Sequence, residues 1–386
     1  MADVVIIGGG ISGVAAAYAL AKEGVAVALL EQHDLAAMAS GWTLAGVRQS
    51  GRHRHELPLA MAAVEIWKDL GAELDADIEY RQKGNLRLAR DDAETTIIRR
   101  LVYEQKALGL DLDYLDDNSA IRAIAPAISD AVVAASFCPT DGHANPKATV
   151  NAYARAAERL GAKIHLGETV DEILVQRGRV VGARTQKAIY KASNIVITAG
   201  IHTPALLEPH GLSLPLALRM VTVVRTRPLP PLFDQVFGTA NAICAGRQEA
   251  SGRLRITGGS QVWQGVVERA SDGHPVVRPP TSAIKGVIER GSFFLPAFGQ
   301  APLEDVWAGL LDMTPDGLPV IEATPEIDGL VVAAGFSGHG FGIGPVTGQL
   351  VRDLVLERPS NLSLDAFRRE RFLTNDHRQV EPTLHG

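Results

Sequence analysis

The first thirty-odd residues constrain this chain most. Val4-Val5-Ile6-Ile7 is a short β-branched apolar run, the pattern of a strand buried on both faces of a parallel sheet. It leads into Gly8-Gly9-Gly10-Ile11-Ser12-Gly13, a G-x-G-x-x-G, and then into Ala-rich Val14 to Lys22, which favours helix. A second apolar run, Val25 to Leu30, closes the unit with Glu31 at its end. In this order each part can hold a dinucleotide. Gly8 permits the tight turn, Gly10 lets backbone approach a pyrophosphate, and Gly13 lets helix and strand pack closely. The helix N-terminus offers unpaired N–H groups and partial positive charge. Glu31, 18 residues beyond Gly13, stands where a carboxylate can accept hydrogen bonds from ribose hydroxyls. An ordinary glycine-rich turn in an α/β protein is the alternative. The intact order of strand, loop, helix, strand and acid favours the dinucleotide.

At 386 residues the length suits two domains, or one large α/β domain with an insertion. A hydrophobic share of 46% supports an ordinary core and argues against extended disorder. The net charge of −6, with no long basic run, argues against nucleic acid as a partner. The local exception, Arg48 to His55, reads most simply as a solvated loop. Cys138 and Cys244 are far apart and fit neither a disulfide scaffold nor a metal site, so no metal is expected and a reducing cytoplasm is the simplest home. The apolar N-terminus lacks the basic region of a signal peptide, and its glycines interrupt the hydrophobic run. No stretch reaches about 18 uninterrupted apolar residues, so no membrane span is expected.

Further along, Leu57 to Leu70 reads as an amphipathic helix with Met61, Val64, Ile66 and Trp67 on its apolar face. Asn85 to Ala89 reads as a strand and Asp92 to Leu108 as a charged helix. Residues 140–146 form a turn that delivers a helix, Lys147 to Leu160. A β-meander over 163–192 feeds a last apolar strand, Asn194 to Thr198. Leu214 to Thr226 alternates, with Arg219, Val221, Val223 and Arg225 on one face and Met220, Thr222 and Val224 on the other, as in a half-buried antiparallel strand. Near the end come a buried strand, Leu330 to Ala334, a glycine-rich loop, Gly335 to Gly342, and a helix from Pro345 to Leu356. That is a second helix N-terminus behind a backbone-exposing loop.

These segments resemble the FAD-dependent D-amino-acid oxidase superfamily, and the resemblance spans nearly the whole chain. It is carried by Gly8 to Gly13 with Glu31, by Leu44-Ala45-Gly46-Val47-Arg48, by Gly142 to Pro146, and by Ile197-Thr198-Ala199-Gly200. Trp307 to Ile321 and Ala333 to Phe341 are the most specific parts. Among the family, the chain is most similar to sarcosine oxidase beta subunits and to flavin subunits of proline- and hydroxyproline-type dehydrogenases. The implied fold class is mixed α/β: a Rossmann-like FAD-binding domain interleaved with a substrate domain on a large mixed or antiparallel sheet. The FAD domain is expected over 1–80, 142–212 and 304–386, the substrate domain over 81–141 and 213–303. The resemblance assigns Gly8, Gly10, Ile11, Ser12 and Gly13 to the pyrophosphate, and Glu31 and Gln32 to the adenosine ribose end. Ser40, Leu44 and Gly46 lie along the ribityl chain and ring, Val170 touches the adenine, and Ala199 and Gly200 approach the pyrophosphate or ribityl region. Gly338, His339, Gly340, Phe341 and Gly342 surround the pyrimidine side of the flavin, where backbone N–H groups at a helix N-terminus stabilise negative charge.

The implied reaction oxidises a C–N bond alpha to a carboxylate by hydride transfer to flavin N5. A carboxylate substrate wants an arginine fork, for which Arg48 is the candidate, the alternative being a surface ion pair. His339 is a candidate second polar contact; the alternative is a packed, hydrogen-bonded loop histidine. Leu311 stands where many amino-acid oxidases carry a carboxylate-binding arginine, which turns the expectation from primary amino acids to secondary or N-substituted ones. Gly309 replaces the cysteine that bonds FAD in monomeric sarcosine oxidases, and no histidine lies between Ser40 and Gly46, so FAD is expected to be non-covalent. No lysine near Arg253 to Gly258 matches the one that assists oxygen use, which favours a dehydrogenase. The partners implied are a small amino acid, an electron acceptor and additional subunits. Two rivals stand: an oxygen-using glycine, sarcosine or D-amino-acid oxidase, and a flavin-carrying subunit without its own chemistry.

Overall fold

A six-stranded sheet carries the N-terminal unit, in the order Val320–Ala323, Leu330–Ala334, Asn194–Ile197, Val4–Ile7, Val27–Glu31, Lys163–Leu166. The structure, a computed structural model, describes residues 2–373, so the last part of the FAD segment expected over 304–386 lies outside the described residues. All pairings are parallel except that of the edge strand Val320–Ala323. Val4–Ile7 is central and buried along its whole length, so the run has no polar alternation. It turns through Gly8, at φ +111°, into the helix Ile11–Lys22. A Cβ at Gly13 would stand 2.0 Å from the Gly8 carbonyl oxygen, so only glycine lets this helix lie so close to its strand.

The helix near the C-terminus spans Gly340–Val355, beginning five residues before the expected Pro345. Proline at a helix start is a preference, not a requirement, and here Pro345 lies inside the helix. Gly340, Phe341 and Gly342, which read as loop, form the first turn of the helix, and further along it neighbours leave no room for side chains at two glycines. A Cβ at Gly344 would lie 2.4 Å from Ile11 Cγ1, and one at Gly348 2.6 Å from the Ala15 carbonyl carbon. The two helices therefore touch backbone to backbone at Gly348 and Ala15, and both N-termini reach the carboxyl edge of the sheet.

The second layer is a nine-stranded mixed sheet. Its one parallel pair joins Asn85–Ala89 to Val236–Thr239, and its long strands are Ala217–Thr226 and Leu303–Met313. Met220, Thr222 and Val224 are buried and Arg219, Val221 and Arg225 half-buried, as the alternation demands; Val223 is covered as well. The fold is mixed α/β, as the fold class expected. Because Leu303–Met313 pairs in the mixed sheet, we propose that the domain division expected at 304 falls after this strand. The expected turn at Gly142–His143 is a two-residue strand instead. It pairs with Gly46–Val47 and exchanges backbone hydrogen bonds with Arg81, and a Cβ at Gly142 would meet the Arg81 oxygen at 2.1 Å. The antiparallel meander is formed by Val170–Gln176, Arg179–Thr185 and Ile189–Lys191.

Gly348→Ala forces the two helices apart against backbone atoms. The expected loss is about 1–3 kcal/mol of apoprotein stability by urea unfolding.

Candidate active site

The carboxyl edge of the parallel sheet opens into a trough with two lobes that share Gly10, Ser40, Thr198, Gly200 and Asp312. The first lobe is lined by Gly8, Glu31, Gln32, Val170 and Ala199. The second is lined by Ile11, Ser12, Leu44, Gly46 and Arg48, and by Gly338, His339, Gly340 and Phe341 from the second helix start. Gly13 and Gly342 line neither lobe. Gly13 lies beneath the Gly8 turn, and the Gly342 carbonyl accepts Trp67 Nε1–H at 2.7 Å. The side chain of Trp67 comes from the helix Leu57–Glu73, where it is fully buried as its periodicity requires. His53 and His55 also line neither lobe and stack edge to face on each other.

The polar groups of the trough suit a long, doubly anionic nucleotide. Neither N-cap residue, Gly10 nor His339, caps its helix with a side chain of its own. Unpaired N–H groups at such starts attract anions. Ser40 Oγ accepts the Ile11 N–H at 3.0 Å. Gly46 and Gly200 have nothing within 4 Å of where a side chain would begin, so their backbone faces open space. Glu31 Oε2 accepts the Gly9 N–H at 2.6 Å and Oε1 the His33 N–H at 2.7 Å, which fixes the carboxylate at the edge of the first lobe. Burial raises its pKa against the pull of those bonds.

Arg48 is 6% exposed and is not a surface ion pair. Its Nη1 donates to the Ser50 carbonyl at 2.9 Å. Arg52 lies beside it, equally buried, with Nε donating to the Arg48 carbonyl. Arg52 Nη1 has no hydrogen-bond partner among the described residues, although Arg52 lines the second lobe. Burial pulls the Arg48 pKa well down, and Arg87 and Arg52 add to the effect. The loop carrying both arginines is pinned from the other layer. The fully buried Asp141 accepts from Gln49 N at 2.7 Å and Ser50 Oγ at 2.6 Å, and Gln105 bonds Gly51 N and the Arg52 carbonyl. His339 Nδ1 sits 2.9 Å from Glu56 Oε2, both side chains buried, so the histidine is anchored and still lines the lobe.

The sequence reading missed Arg52, Glu56, Asp141, Gln105 and Asp312. The simplest reading of the Arg48–His55 run, a solvated loop, does not hold for Arg52, which is buried. The signal available was a basic cluster directly after the small-residue loop, in a chain with net negative charge.

The family described as FAD dependent oxidoreductase (DAO) matches residues 3–354. This chain belongs to that family. It is accordingly an FAD-dependent oxidoreductase. It is 26% identical to the sarcosine oxidase subunit beta of Rhizobium meliloti, covering 99% of this chain and 92% of that one. It is 28% identical to the glycine oxidase of Bacillus subtilis, covering 96% and 97%. Among solved structures, the L-proline dehydrogenase from P. horikoshii superposes with a TM-score of 0.88 at 26% identity, covering 96% and 98%. Among the described residues of the flavoenzyme, no helix is long and apolar enough to cross a membrane.

Asp312 is the one carboxylate that lines both lobes. Its Oδ2 accepts the Gly335 N–H at 2.9 Å. Burial raises its pKa to about 6, although backbone N–H groups oppose this. The folded chain thus holds this proton more tightly than the unfolded chain, whose ordinary value is 3.8. The stability it contributes is full below that value and is lost as pH rises through about 6. Asp312→Asn removes the titration. The stability of wild type relative to this variant is expected to fall by about 2 kcal/mol from about pH 4 to about pH 7, read by urea unfolding of the apoproteins.

Proposed function

We propose that this flavoenzyme oxidises the C–N bond of a small secondary or N-substituted amino acid and passes the electrons to an acceptor other than oxygen. The observation that carries the reading is the second lobe, which is lined both by two buried arginines and by aliphatic side chains. Arg48 and Arg52 are the arginines, and Val221, Val223, Val236, Leu310 and Leu311 the aliphatic residues.

Arg52 Nη1 is buried without a hydrogen-bond partner among the described residues. A buried charged donor needs an acceptor, and a substrate carboxylate supplies one. Arg52 Nη1 and the Arg48 guanidinium hold that carboxylate, and the loop bonds to Asp141 and Gln105 keep both arginines in place before substrate arrives. The valine and leucine wall excludes water and accepts an alkyl group on nitrogen. Leu311 offers no hydrogen bond to a second polar group there.

For the cofactor, the helix start at Gly10–Ser12 takes the pyrophosphate, Glu31 and Gln32 the ribose end, and the N–H groups from Gly338 to Phe341 the pyrimidine end. The chemistry FAD supplies when bound is acceptance of a hydride from the substrate carbon, leaving an imine that water hydrolyses. Gly309 carries no nucleophile, and no cysteine lines either lobe among the described residues, which supports non-covalent FAD. No lysine lines the second lobe among the described residues, and the P. horikoshii structure is of a dehydrogenase; both support a dehydrogenase. The similarity to proteins named as beta subunits supports partner subunits. Two buried cysteines, both free, support the reducing cytoplasm.

Anaerobic addition of proline, 4-hydroxyproline, sarcosine, glycine, D-alanine or an opine is expected to bleach the bound flavin with one secondary amine, and air to restore colour slowly. Arg48→Gln or Arg52→Gln is expected to weaken that reduction about a hundredfold, while FAD stays bound. Bleaching by glycine or D-alanine alone, with fast recovery in air, contradicts the reading in favour of an oxidase. No bleaching by any compound, with or without partner subunits, contradicts it in favour of a silent subunit. Acid precipitation is expected to release all the yellow colour; flavin left in the pellet contradicts non-covalent binding.

A further inference from the structure

The Trp42–Leu44 segment walls the second lobe but has little structure of its own. It follows a four-residue helix, Ala39–Trp42, and ends at Ala45, whose φ is +62°. What it has instead is partners on the mixed sheet. Trp307 Nε1 donates to the Trp42 carbonyl at 3.2 Å, Arg255 Nη1 to the Thr43 carbonyl at 2.7 Å, and Arg247 Nε to the Leu44 carbonyl at 2.6 Å. Three successive carbonyls are thus held by three strands: Leu303–Met313, Leu254–Gly258 and Cys244–Gln248.

The donors are costly to keep where they are. Arg247 is 2% exposed, and no carboxylate hydrogen-bonds it among the described residues. Burial, with Arg255 nearby, lowers its pKa to about 9. Its other partner is His143 Nδ1, at 3.1 Å, and His143 pairs through its backbone with Gly46. Arg247 therefore holds both sides of the segment's exit. Arg255 is matched by Glu249 at 2.7 Å and lies over the Trp307 ring at 5.1 Å. A buried guanidinium of this kind is weak as a source of stability and strong as a source of geometry. Two residues along the same strands, on the same sheet face, Thr257 and Gly309 line the second lobe.

We infer that Arg247, Arg255 and Trp307 are positioning residues that hold the Trp42–Leu44 strap closed over the FAD trough, so that cofactor retention is set from the sheet that walls its other end. The inference holds whichever amine is oxidised.

The test is the rate of FAD release from purified holoprotein, read by recovery of flavin fluorescence on dilution, with the melting of each apoprotein measured beside it. Arg247→Gln and Arg255→Gln are expected to release FAD about tenfold faster each, the worth of a charged hydrogen bond. Arg247→Lys, which keeps the charge and one donor, is expected to fall between wild type and Arg247→Gln. Trp307→Phe keeps the ring, loses the N–H donor, and serves if the glutamine variants do not fold; its release is expected to quicken by a smaller factor. Arg225→Gln is the control, because Arg225 also lies against Trp307 but bonds no strap carbonyl. Wild-type release rates in the folded variants overturn the inference. So does an increase shared by Arg225→Gln, or one that only follows the loss of apoprotein stability.

Discussion

Close contact between two helices from opposite ends of the chain is the constraint on which the site depends. Gly344 presses against the Ile11 side chain and Gly348 against the Ala15 backbone. That contact brings the starts of Ile11–Lys22 and Gly340–Val355 to the same edge of the parallel sheet. Each start carries partial positive charge and unpaired N–H groups, and together they make one trough that suits a cofactor with negative charge at its middle and at its ring. Trp67, donating to the Gly342 carbonyl, fixes the second start from behind. The rest of the site is arranged around this trough: the arginine loop, the strap and the mixed sheet each close one side of it.

The electrostatics of the second lobe follow from burial. Arg48 and Arg52 stand in an environment where charge is expensive, and Asp141 is already engaged by Gln49 and Ser50. Under the proposed function, a substrate anion completes the site and offsets the cost of two rigid, desolvated guanidinium groups. Asp312, a carboxylate that lines both lobes, places a negative side chain where they meet, and burial raises its pKa to about 6.

Much of the cofactor side was legible in the sequence because its signals are local. Strand, glycine loop, helix and acid lie within one stretch, and their order has a physical meaning. Of the meander expected over 163–192, the part from Val170 to Lys191 was legible for the same reason, as was the alternation of Ala217–Thr226, whereas Lys163–Leu166 pairs parallel in the six-stranded sheet instead. The substrate side was not. Gln49 meets Asp141 across 92 residues, and Arg247 meets Leu44 across 203. No periodicity relates such pairs, so the Arg48–His55 cluster read as solvated when it is largely buried. The pattern puts the second helix start at Pro345 because proline is a local signal, whereas the close contacts of Gly342 with Gly46 and of Gly344 with Ile11 are long-range and no local pattern encodes them.

The account stands or falls on the claim that the substrate is held by its carboxylate at the arginine end of the second lobe. The most direct measurement compares anaerobic flavin reduction by the amine that bleaches the enzyme with reduction by its methyl ester, which keeps the reacting C–N bond and loses the anion. The account expects the ester to reduce the flavin at least about a hundredfold more slowly at equal concentration, the loss of a charge-assisted, bidentate contact. Equal rates for acid and ester would contradict it.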